Sequence, residues 1–502
     1  MNDMMIEIIV NGESRKVPSG LTLSEITGGE KPCGGHGKCG KCKVIARGDL
    51  SLPSDAELRL LTEEELNRGV RLACMTRALG DCEVETLVSS ADAQIVTGGS
   101  SVGFEVKPAF NKYGVAIDIG TTTLAVRLYD ANGNIVAEFS RLNPQSEFGA
   151  DVISRIEASM KGSADELAES ILSALDEMIV RLASDAVIDQ SEIDGVVITG
   201  NTVMLSLLTR EDVEPFSHAP FEAKRLFGEV VSAKEMGLES LEPGTQVYLP
   251  PCISAFVGAD TVCALIATDL CSKDCAMLAD IGTNGEMALW YEDSLTVCST
   301  AAGPAFEGVG ISMGMRGAVG AIDRVTLADG GLEAHVIGGG EAVGICGSGL
   351  VDAAAVMLEA EIIDETGFLE DDPFLLKDSV SLSCKDVRML QLAKSAIGAG
   401  LQTLAEDSGL DTDDVPLLYI AGGFGNYLNK ESAAMIGMLP RSLAECSVTV
   451  GNAALTGASM MLLNIDSRER ATALSRIAKT LDLSKNKGFS EKFMMGMIFE
   501  EI

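Results

Sequence analysis

Four cysteines near the start of the chain have a spacing that suits a metal cluster. They follow the pattern Cys33-x5-Cys39-x2-Cys42-x31-Cys74, and the first three lie in the glycine-rich run CGGHGKCGKC. A [2Fe–2S] cluster needs four thiolates, and glycines let the backbone wrap closely and point N–H groups at the sulfurs. Structural zinc usually takes two close C-x2-C pairs, whereas the run has one. The spacing therefore favours a [2Fe–2S] cluster on these four residues, with Cys82 as a bystander.

The residues around this loop carry a charge opposite to that of the whole chain. No Asp or Glu occurs between positions 31 and 48, where the basic residues are Lys31, Lys38, Lys41, Lys43 and Arg47. A basic rim can dock an acidic electron donor or acceptor and speed their encounter. A loop that its lysines merely keep soluble is the alternative, and the sequence leaves both interpretations open.

A second kind of chemistry is indicated by a short pattern that occurs twice. Residues 114–123 read GVAIDIGTTT and residues 276–285 read AMLADIGTNG. Asp118 and Asp280 are 280 − 118 = 162 positions apart, a separation that a duplicated domain would give. Hydroxyls and backbone N–H groups in such turns bind phosphate oxygens, and Asp118 can hold Mg²⁺ directly or through water. The predicted phosphate-binding residues are Gly120, Thr121, Thr122, Thr123, Gly282, Thr283, Asn284 and Gly285.

A third glycine-rich turn, Gly422-Gly423-Phe424, follows an apolar strand predicted at 417–421. Paired glycines at the end of a strand let a flat base or a ribose lie against the backbone. The chain has no G-x4-G-K-[ST] sequence, which excludes a P-loop enzyme. One glycine turn is explained by a simple connection from strand to helix, but three together indicate a nucleotide site.

Four carboxylates are candidate catalytic groups because each could orient water or Mg²⁺ beside a phosphate. They are Asp118 and Asp280 in the repeated loops, Asp260 in the string FVGAD, and Glu286 just after the second loop. A helix cap or an ordinary surface carboxylate is the alternative for Asp260 and Glu286. Glu307 in the string AAGPAFEG has the same two interpretations, and Asn201 and Thr202 follow a strand at 196–200 and could line the site.

These residues must be positioned by an α/β multidomain chain. Two strands are predicted over residues 5–10 and 14–18, on either side of Asn11-Gly12, which is a strong hairpin turn. A helix is predicted from Thr22 to Ile26, and residues 83–88 indicate a closing strand. This order of elements is typical of a small β-grasp domain. From Tyr113 onward, apolar strands alternate with amphipathic helices. We predict a ferredoxin-like domain over 1–88, a linker over 89–112, a first lobe over 113–275 and a second lobe over 276–502.

Two helices can be placed more closely. Ser163 and Glu166 form a predicted capping box, after which Leu167, Ile171, Leu175, Met178 and Leu182 fall on one face at helical spacing. This stripe predicts a helix that faces a core. A second helix is predicted over about 386–405.

The composition of the chain limits the classes of partner that it can bind and indicates the cellular compartment in which it works. The chain has 502 residues and a net charge of −36, which argues against binding to nucleic acid or to an anionic membrane. No run of about 18 uncharged apolar residues is present, so no membrane span is expected. Thirteen cysteines in a chain without a recognisable signal peptide predict a reducing, cytoplasmic location.

Two resemblances follow from these motifs. The x5 gap resembles the vertebrate-type and bacterial hydroxylase ferredoxins, as does the segment LTEEELNRGVRLACMTRALGDCEVETL. The two DIGT loops and the later GG turn, over about 114–460, resemble the superfamily of acetate kinases, sugar kinases, heat-shock chaperones and actin. That resemblance implies two duplicated actin-like ATPase lobes that grip ATP and Mg²⁺ between them, with the GG turn against adenosine.

The whole chain resembles one family more closely, the reductive activators of corrinoid proteins. Five strings carry this resemblance: NPQSEFGADVISRI, VVITGNTVM, TAAGPAFEG, GICGSGLVD and AGGFGNYL. It implies an ATP-dependent reductase that passes one electron from its [2Fe–2S] cluster to an inactive Co(II) corrinoid and regenerates Co(I) for methyl transfer. It also implies a corrinoid protein of a methyltransferase system as partner and a low-potential electron donor such as ferredoxin or flavodoxin. A homodimer is a common assembly among actin-like ATPases of this kind.

The chain itself has no cobalamin-binding signature. Its three histidines, His36, His218 and His335, lie outside any D-x-H-x-x-G pattern, so the corrinoid is expected on the partner. Two other functions stay open: a redox-regulated small-molecule kinase, and a noncatalytic chaperone for metalloproteins with a structural cluster. Activators of radical dehydratases resemble the same lobes, but they carry a [4Fe–4S] cluster at a dimer interface without a β-grasp domain.

Overall fold

The computed structural model describes residues 5–10, 13–27, 42–86, 105–328 and 331–502. The chain divides into two compact units. One comprises Met1–Ala93 with Gln145–Ala150, and the other comprises Gln94–Pro144 with Asp151–Ile502.

The N-terminal unit contains a five-stranded mixed sheet in the order β2-β1-β5-β3-β4. Strands β1 and β5 are parallel, and the other neighbours are antiparallel. This is the β-grasp arrangement that the sequence predicted. Its elements are β1 (Met5–Val10), β2 (Glu13–Pro18), α1 (Leu23–Thr27), β3 (Lys43–Leu50), α2 (Asp55–Leu60), α3 (Glu63–Asn67), β4 (Val70–Leu72) and β5 (Ala78–Thr86).

The local predictions for this unit are largely confirmed. Strand β1 alternates between exposed and buried residues, and Ile6, Ile8 and Val10 form part of the core. Val10 pairs with Glu13, so the hairpin has a two-residue turn, and that turn lies outside the described residues. The closing strand begins earlier than predicted, at Ala78, because Ala78 already pairs with Leu50 of β3.

The larger unit begins with a half built on a six-stranded sheet, in the order β10-β11-β9-β6-β7-β8. Strand β6 pairs in parallel with β9 and antiparallel with β7. The elements are β6 (Tyr113–Ile119), β7 (Thr123–Asp130), β8 (Ile135–Leu142), α4 (Val152–Ala158), α5 (Ala164–Ala186), β9 (Ile193–Gly200), α6 (Thr202–Leu208), β10 (Glu229–Ser232), α7 (Ala233–Met236), β11 (Gln246–Leu249) and α8 (Ala259–Thr268).

The following half contains a second six-stranded sheet, in the order β21-β20-β12-β13-β14-β22. A three-stranded sheet (β16-β15-β17) and a two-stranded sheet (β18-β19) accompany it. The elements are β12 (Cys275–Ile281), β13 (Gly285–Tyr291), β14 (Ser294–Thr300), β15 (Ala321–Ala328), β16 (Gly331–Val336), β17 (Gly344–Ile345), α9 (Gly347–Glu359), β18 (Phe374–Lys377), β19 (Val380–Leu382), α10 (Cys384–Asp407), β20 (Leu418–Ala421), α11 (Lys430–Met435), α12 (Arg441–Glu445), β21 (Ser447–Gly451), α13 (Ala453–Leu463), α14 (Asp466–Ile477), β22 (Lys479–Thr480) and α15 (Lys487–Met495).

The two large sheets share one topology. In each, a central strand (β6 or β12) pairs antiparallel with the first strand of a hairpin and parallel with a later strand (β9 or β20). A second parallel strand, β11 or β21, follows outward in both. A one-turn 3-10 helix that begins with proline follows the third strand in both, at Pro144–Glu147 and Pro304–Glu307. The duplication inferred from the repeated loops is thus present in the strand order.

One prediction about a helix start is wrong. Helix α5 begins at Ala164, but the Ser163 side chain makes no capping hydrogen bond. Ser163 ends a π-helical turn that continues from α4, and its φ and ψ of −94° and 24° are not the extended angles of an N-cap. The apolar stripe is confirmed, since all five of its side chains are fully buried. Helix α10 and strand β20 are also found where the sequence placed them.

Helices α8 and α13 lie between the two sheets and pack directly on each other. Their side chains join one apolar cluster with Ala116 of β6, Val197 of β9 and Leu278 of β12. The helices come so close that a Cβ at Gly457 would lie 1.9 Å from the carbonyl oxygen of Cys263. This contact fixes the relative position of the two repeated loops. No helix within the described ranges is long and apolar enough to cross a membrane.

The close contact at Gly457 can be tested by substitution. Gly457→Ala should destabilise the larger unit by about 2 kcal/mol or more, because the backbones must separate to admit the methyl group. The measurement is thermal or denaturant unfolding of the full chain. Gly244→Ala is the control, since a Cβ there meets no atom within 4 Å. Equal stability of the two variants would show that the helices are not in such close contact.

Candidate functional site

Two of the four predicted cluster ligands are among the described residues, and they lie side by side. The Sγ atoms of Cys42 and Cys74 are 3.2 Å apart. The strand pairing accounts for this: Lys43 pairs with Leu72, and the Ala73 N–H donates to the carbonyl oxygen of Cys42 at 2.8 Å. This separation is well beyond a disulfide bond, so both residues are thiols, and their Sγ atoms are close enough to bind one metal centre. Cys33 and Cys39 lie outside the described residues, so their part in the site stays a prediction.

A buried carboxylate supports the turn that carries Cys74. Glu57 of α2 is fully buried, and its Oε1 accepts hydrogen bonds from Arg71 Nε at 2.8 Å, Leu72 N at 3.1 Å and Thr76 Oγ1 at 2.8 Å. Burial alone would raise the pKa of Glu57, but these bonds and those from Ser54 hold it below its usual value. Glu57 therefore fixes both sides of Cys74 while it stays ionised. Cys82, the predicted bystander, is buried in the sheet core.

The first phosphate loop follows β6 in the larger unit. Asp118 accepts a hydrogen bond from Asn452 Nδ2 at 2.9 Å, and Asn452 caps α13 of the other half. The loop is closed by Gly120 N donating to the carbonyl oxygen of Thr123 at 2.9 Å. Asn201, at the N-terminus of α6, donates to the Thr121 hydroxyl at 3.2 Å. No sequence pattern pointed to Asn452, because its hydrogen bond to Asp118 joins residues 334 positions apart.

The second phosphate loop follows β12 and is one residue shorter. Ile119 pairs with Leu124 across the first loop, whereas Ile281 pairs with Gly285 across the second. As a result, Asp118 lies opposite Ala125, but Asp280 lies opposite Glu286.

The Asp280 side chain also borders the third glycine turn. A Cβ at Gly422 would lie 2.9 Å from Asp280 Oδ1 and 2.6 Å from the Ile281 carbonyl oxygen. The structure therefore brings the second loop and Gly422 together. Gly423 and Phe424 continue from there, with Gly423 exposed.

Gly285 lies in the sheet and packs closely against a neighbouring helix. It lies buried in β13, where a Cβ would meet Ile397 at 2.5 Å. Its neighbour Asn284 donates through its side chain to Glu286, which opposes the rise of that carboxyl's pKa. Binding of phosphate by either residue stays a prediction.

The four candidate carboxylates converge at this point and repel one another. Burial, with the charge of Asp260, raises the pKa of Asp118 to about 7, against the hydrogen bond from Asn452. Burial and the charges of Asp260 and Asp118 raise the pKa of Asp280 to about 7. Burial raises the pKa of Asp260 itself to about 6, although its carboxylate accepts a hydrogen bond from Thr261 N at 2.7 Å. Burial and the charges of Asp260 and Asp280 raise the pKa of Glu286 well above its usual value. Such perturbed carboxyls are typical of functional sites.

These carboxylates do not form a ready-made metal cage. Within the described ranges, no group of three or more His, Cys, Asp or Glu side chains is arranged to hold a metal ion. Mg²⁺ in phosphate sites usually keeps several waters and takes one or two carboxylates plus the phosphate oxygens. The arrangement around Asp118 and Asp280 fits that mode of binding.

Glu307 contacts both phosphate loops. Its Oε1 accepts a hydrogen bond from Thr283 Oγ1 at 2.8 Å, and its Oε2 accepts one from the Thr122 hydroxyl. The preceding residue, Phe306, stacks on Phe424 of the third glycine turn, with ring centroids 4.7 Å apart and planes inclined by 15°. One short turn therefore touches all three predicted nucleotide motifs. The sequence showed Glu307 only as a general carboxylate candidate.

Two histidines lie within the described ranges, and each is close to a carboxylate outside the four candidates. His218 is exposed and close to Glu214, and His335 contacts Asp323 at 2.6 Å through Nδ1. Thr202, at the start of α6, donates to the Ser254 carbonyl oxygen at 2.7 Å. It therefore holds the segment that leads to α8.

The duplicated sheets and their paired loops define an actin-like protein of the acetate kinase, sugar kinase, heat-shock chaperone and actin superfamily. A family model described as the C-terminal domain of RACo, the ASKHA domain, matches residues 274–501, and one described as the RACo middle region matches residues 113–273. Together they cover most of the chain. The chain belongs to this family, the reductive activators of corrinoid proteins.

Individual relatives agree with this assignment. The chain is 35% identical to the corrinoid activation enzyme RamQ of Eubacterium limosum, over 81% of this chain and 74% of that protein. It is 28% identical to the [Co(II) methylated amine-specific corrinoid protein] reductase of Methanosarcina barkeri, over 74% and 73%. A solved structure named reductive activator for corrinoid,iron-sulfur protein matches 99% of this chain and 98% of its own, with 27% identity and a TM-score of 0.73.

The role of Glu57 can be tested by removing its charge. Glu57→Gln should destabilise the N-terminal unit by about 3 to 5 kcal/mol, because buried Arg71 loses its charged partner. Calorimetry should show this unit unfolding at a lower temperature. Since the pKa of Glu57 is lower in the folded protein, its stabilisation should be present above the unfolded pKa and lost as the pH falls. Glu85→Gln, an exposed site on β5, is the control. No difference between the variants would contradict the role assigned to Glu57.

The repulsion between carboxylates predicts an unusual pH dependence. Their pKa values are higher in the folded than in the unfolded protein, so the stability of the larger unit should fall as the pH rises from about 4 to about 7. Asp280→Asn should therefore raise the melting temperature at pH 8 without Mg²⁺, by about 1 °C for each kcal/mol of relieved repulsion, because the unfolding entropy of so large a unit is high. Asp413→Asn, at an exposed site, is the control. A lower melting temperature for Asp280→Asn than for this control would contradict the repulsion.

Proposed function

We propose that this protein is an ATP-dependent reductive activator that passes one electron from a [2Fe–2S] cluster to an inactive Co(II) corrinoid on a partner protein. Membership of the family is the observation that carries this proposal. The adjacent thiols of Cys42 and Cys74 support the cluster, and the paired loops beside Asp118 and Asp280 support a site for MgATP.

Coupling to ATP has a thermodynamic reason. Reduction of a Co(II) corrinoid to Co(I) is strongly uphill for ordinary ferredoxins, and a plant-type cluster has a potential near roughly −400 mV. For a one-electron transfer, every ~59 mV of shortfall reduces the equilibrium constant tenfold. Binding or hydrolysis of ATP can offset such a shortfall by changing the complex with the corrinoid protein, including the ligands of its cobalt.

The residues of the chain divide this work between the two units. In the N-terminal unit, Cys42 and Cys74, with Cys33 and Cys39, would hold the cluster, which supplies a one-electron relay. In the larger unit, the threonines of the two loops would donate to phosphate oxygens. The carboxylates of Asp118 and Asp280 would hold Mg²⁺ through its waters and orient the attacking water, and Gly422-Gly423-Phe424 would border the adenosine.

Several finer predictions stay with this proposal. The partner would be the corrinoid protein of a methyltransferase system, and the electron donor a low-potential ferredoxin or flavodoxin. A homodimer and a cytoplasmic location stay predictions of the same kind, as do the boundaries of the predicted domains.

The proposal is tested by following cobalt in the visible spectrum. The full chain, chemically reduced, is mixed with MgATP and the Co(II) form of a corrinoid protein from a methyltransferase system. Conversion to Co(I) should need both ATP and the cluster, and Cys42→Ser and Asp118→Asn should each slow it at least tenfold. Cys384→Ser, a half-buried thiol of the larger unit, is the control.

Other outcomes would separate the competing functions. If reduced protein and MgATP never yield Co(I) on a corrinoid protein that binds the chain, the proposal is wrong. A phosphorylated small molecule would identify a kinase. Activation that survives unchanged in Cys42→Ser would point to a chaperone with a structural cluster.

A further inference from the structure

The two hydrogen bonds to Glu307 occupy donors that a nucleotide would need. The Thr122 and Thr283 hydroxyls belong to the two copies of the DIGT loop, and each donates to a different oxygen of the one carboxylate. A carboxylate and a phosphate are both anionic acceptors, and both form strong hydrogen bonds with such donors. A polyphosphate bound by these hydroxyls and Glu307 in its present position therefore exclude each other.

The position of Glu307 is fixed by its turn. Glu307 ends the 3-10 helix Pro304–Glu307, in which Ala305 and Phe306 are buried. The next residue, Gly308, packs so closely that a Cβ there would lie 2.6 Å from the backbone nitrogen of Met315. The stacking of Phe306 on Phe424 holds the other side of the turn. Glu307 thus reaches the loops from a rigid support.

The charge of Glu307 adds to an already acidic site. Arg155 is the nearby cation: its guanidinium is fully buried behind the first loop, donates to the Thr121 carbonyl oxygen at 2.6 Å, and interacts electrostatically with Glu307 and Asp151. A polyphosphate that enters between the loops meets the repulsion of Glu307 together with that of Asp118 and Asp280. A divalent cation on the phosphates reduces this repulsion.

We propose that Glu307 is a latch that holds the two phosphate loops together and competes with the β- and γ-phosphates of a nucleoside triphosphate for the same threonine hydroxyls. This inference rests on the nucleotide site of the proposed function. It assigns Glu307 a positioning role that sets the affinity for polyphosphates and their requirement for Mg²⁺. The same turn contacts Phe424 through Phe306, so the support of the latch also borders the predicted adenosine site.

Binding measurements on the full-length protein test the latch. Affinities for ATP, ADP and AMP are measured by calorimetry with and without Mg²⁺, for the wild type, Glu307→Gln and Glu307→Ala. Without Mg²⁺, both variants should bind ATP at least tenfold more tightly, because the repelling charge is gone, and Glu307→Ala should show the larger effect, since it also frees both hydroxyls. The affinity for AMP should change less than twofold, because its single phosphate does not extend to the latch.

A second readout and a control make the result decisive. Without nucleotide, Glu307→Ala should lower the melting temperature of the larger unit, and saturating MgATP should restore it to the wild-type value. Glu341→Gln removes the same charge from an exposed site and should change neither quantity.

Three results would contradict the proposals, and they distinguish a failure of the latch from a failure of the nucleotide site. Weaker binding of MgATP by at least tenfold in Glu307→Gln would make Glu307 a metal ligand and overturn the latch. Unchanged affinities in both variants would also overturn it. Failure of the wild type to bind any of the three nucleotides would instead overturn the nucleotide site of the proposed function.

Discussion

Repulsion among carboxylates is the interaction that the rest of the larger unit must accommodate. Asp280 lies directly opposite Glu286 on neighbouring antiparallel strands, an arrangement of like charges that weakens a sheet. The pKa values of Asp118 and Asp280 rise to about 7 because burial and neighbouring charges both oppose ionisation. A protein that kept these residues for stability alone would gain by replacing them. Buried carboxyl groups with pKa values perturbed in this way are typical of functional sites.

The duplicated sheets provide the framework on which this repulsion is held. Helices α8 and α13 pack between the sheets at contact distance, and their shared core includes side chains from β6, β9 and β12. Because interiors of this density deform little, the ends of β6 and β12 stay at a fixed separation. The unequal loop lengths then break the symmetry, since only the second half places a carboxylate opposite its loop aspartate. The site is therefore asymmetric even though the two sheets share a topology.

The N-terminal unit handles charge differently. Its buried carboxylate, Glu57, has a full set of hydrogen-bond donors, including the guanidinium of Arg71. Those bonds hold its pKa low in spite of burial. The carboxylate therefore acts as a structural anchor for the turn around Cys74. In the larger unit, by contrast, the few hydrogen bonds to the carboxylates do not offset their burial and mutual repulsion, so their pKa values stay raised.

The sequence alone was sufficient for the fold class and for the family. Cysteine spacing, the repeated DIGT loops and the GG turn are local patterns, and local patterns survive without knowledge of the tertiary structure. The repeated loops predicted the duplicated lobes, the order of strands predicted the β-grasp unit, and five longer strings carried the resemblance to the family. The structure and the related proteins confirm these three predictions. The helix stripe from Leu167 to Leu182 was predictable for the same reason, since helical spacing is read within one segment.

The tertiary structure decided how these pieces act on one another. The cap at Ser163 failed because the preceding helix runs into α5 through a π turn, which no capping pattern encodes. The contacts of Asn452 with Asp118 and of Glu307 with Thr122 join residues 334 and 185 positions apart. Aligning the two DIGT loops residue by residue also hides the fact that the second loop is one residue shorter. Only the strand pairing shows that Glu286 therefore lies opposite Asp280. Sequence determined which groups are present and what chemistry they can perform, whereas chain folding determined which of them share one electrostatic environment, because that depends on distance in space.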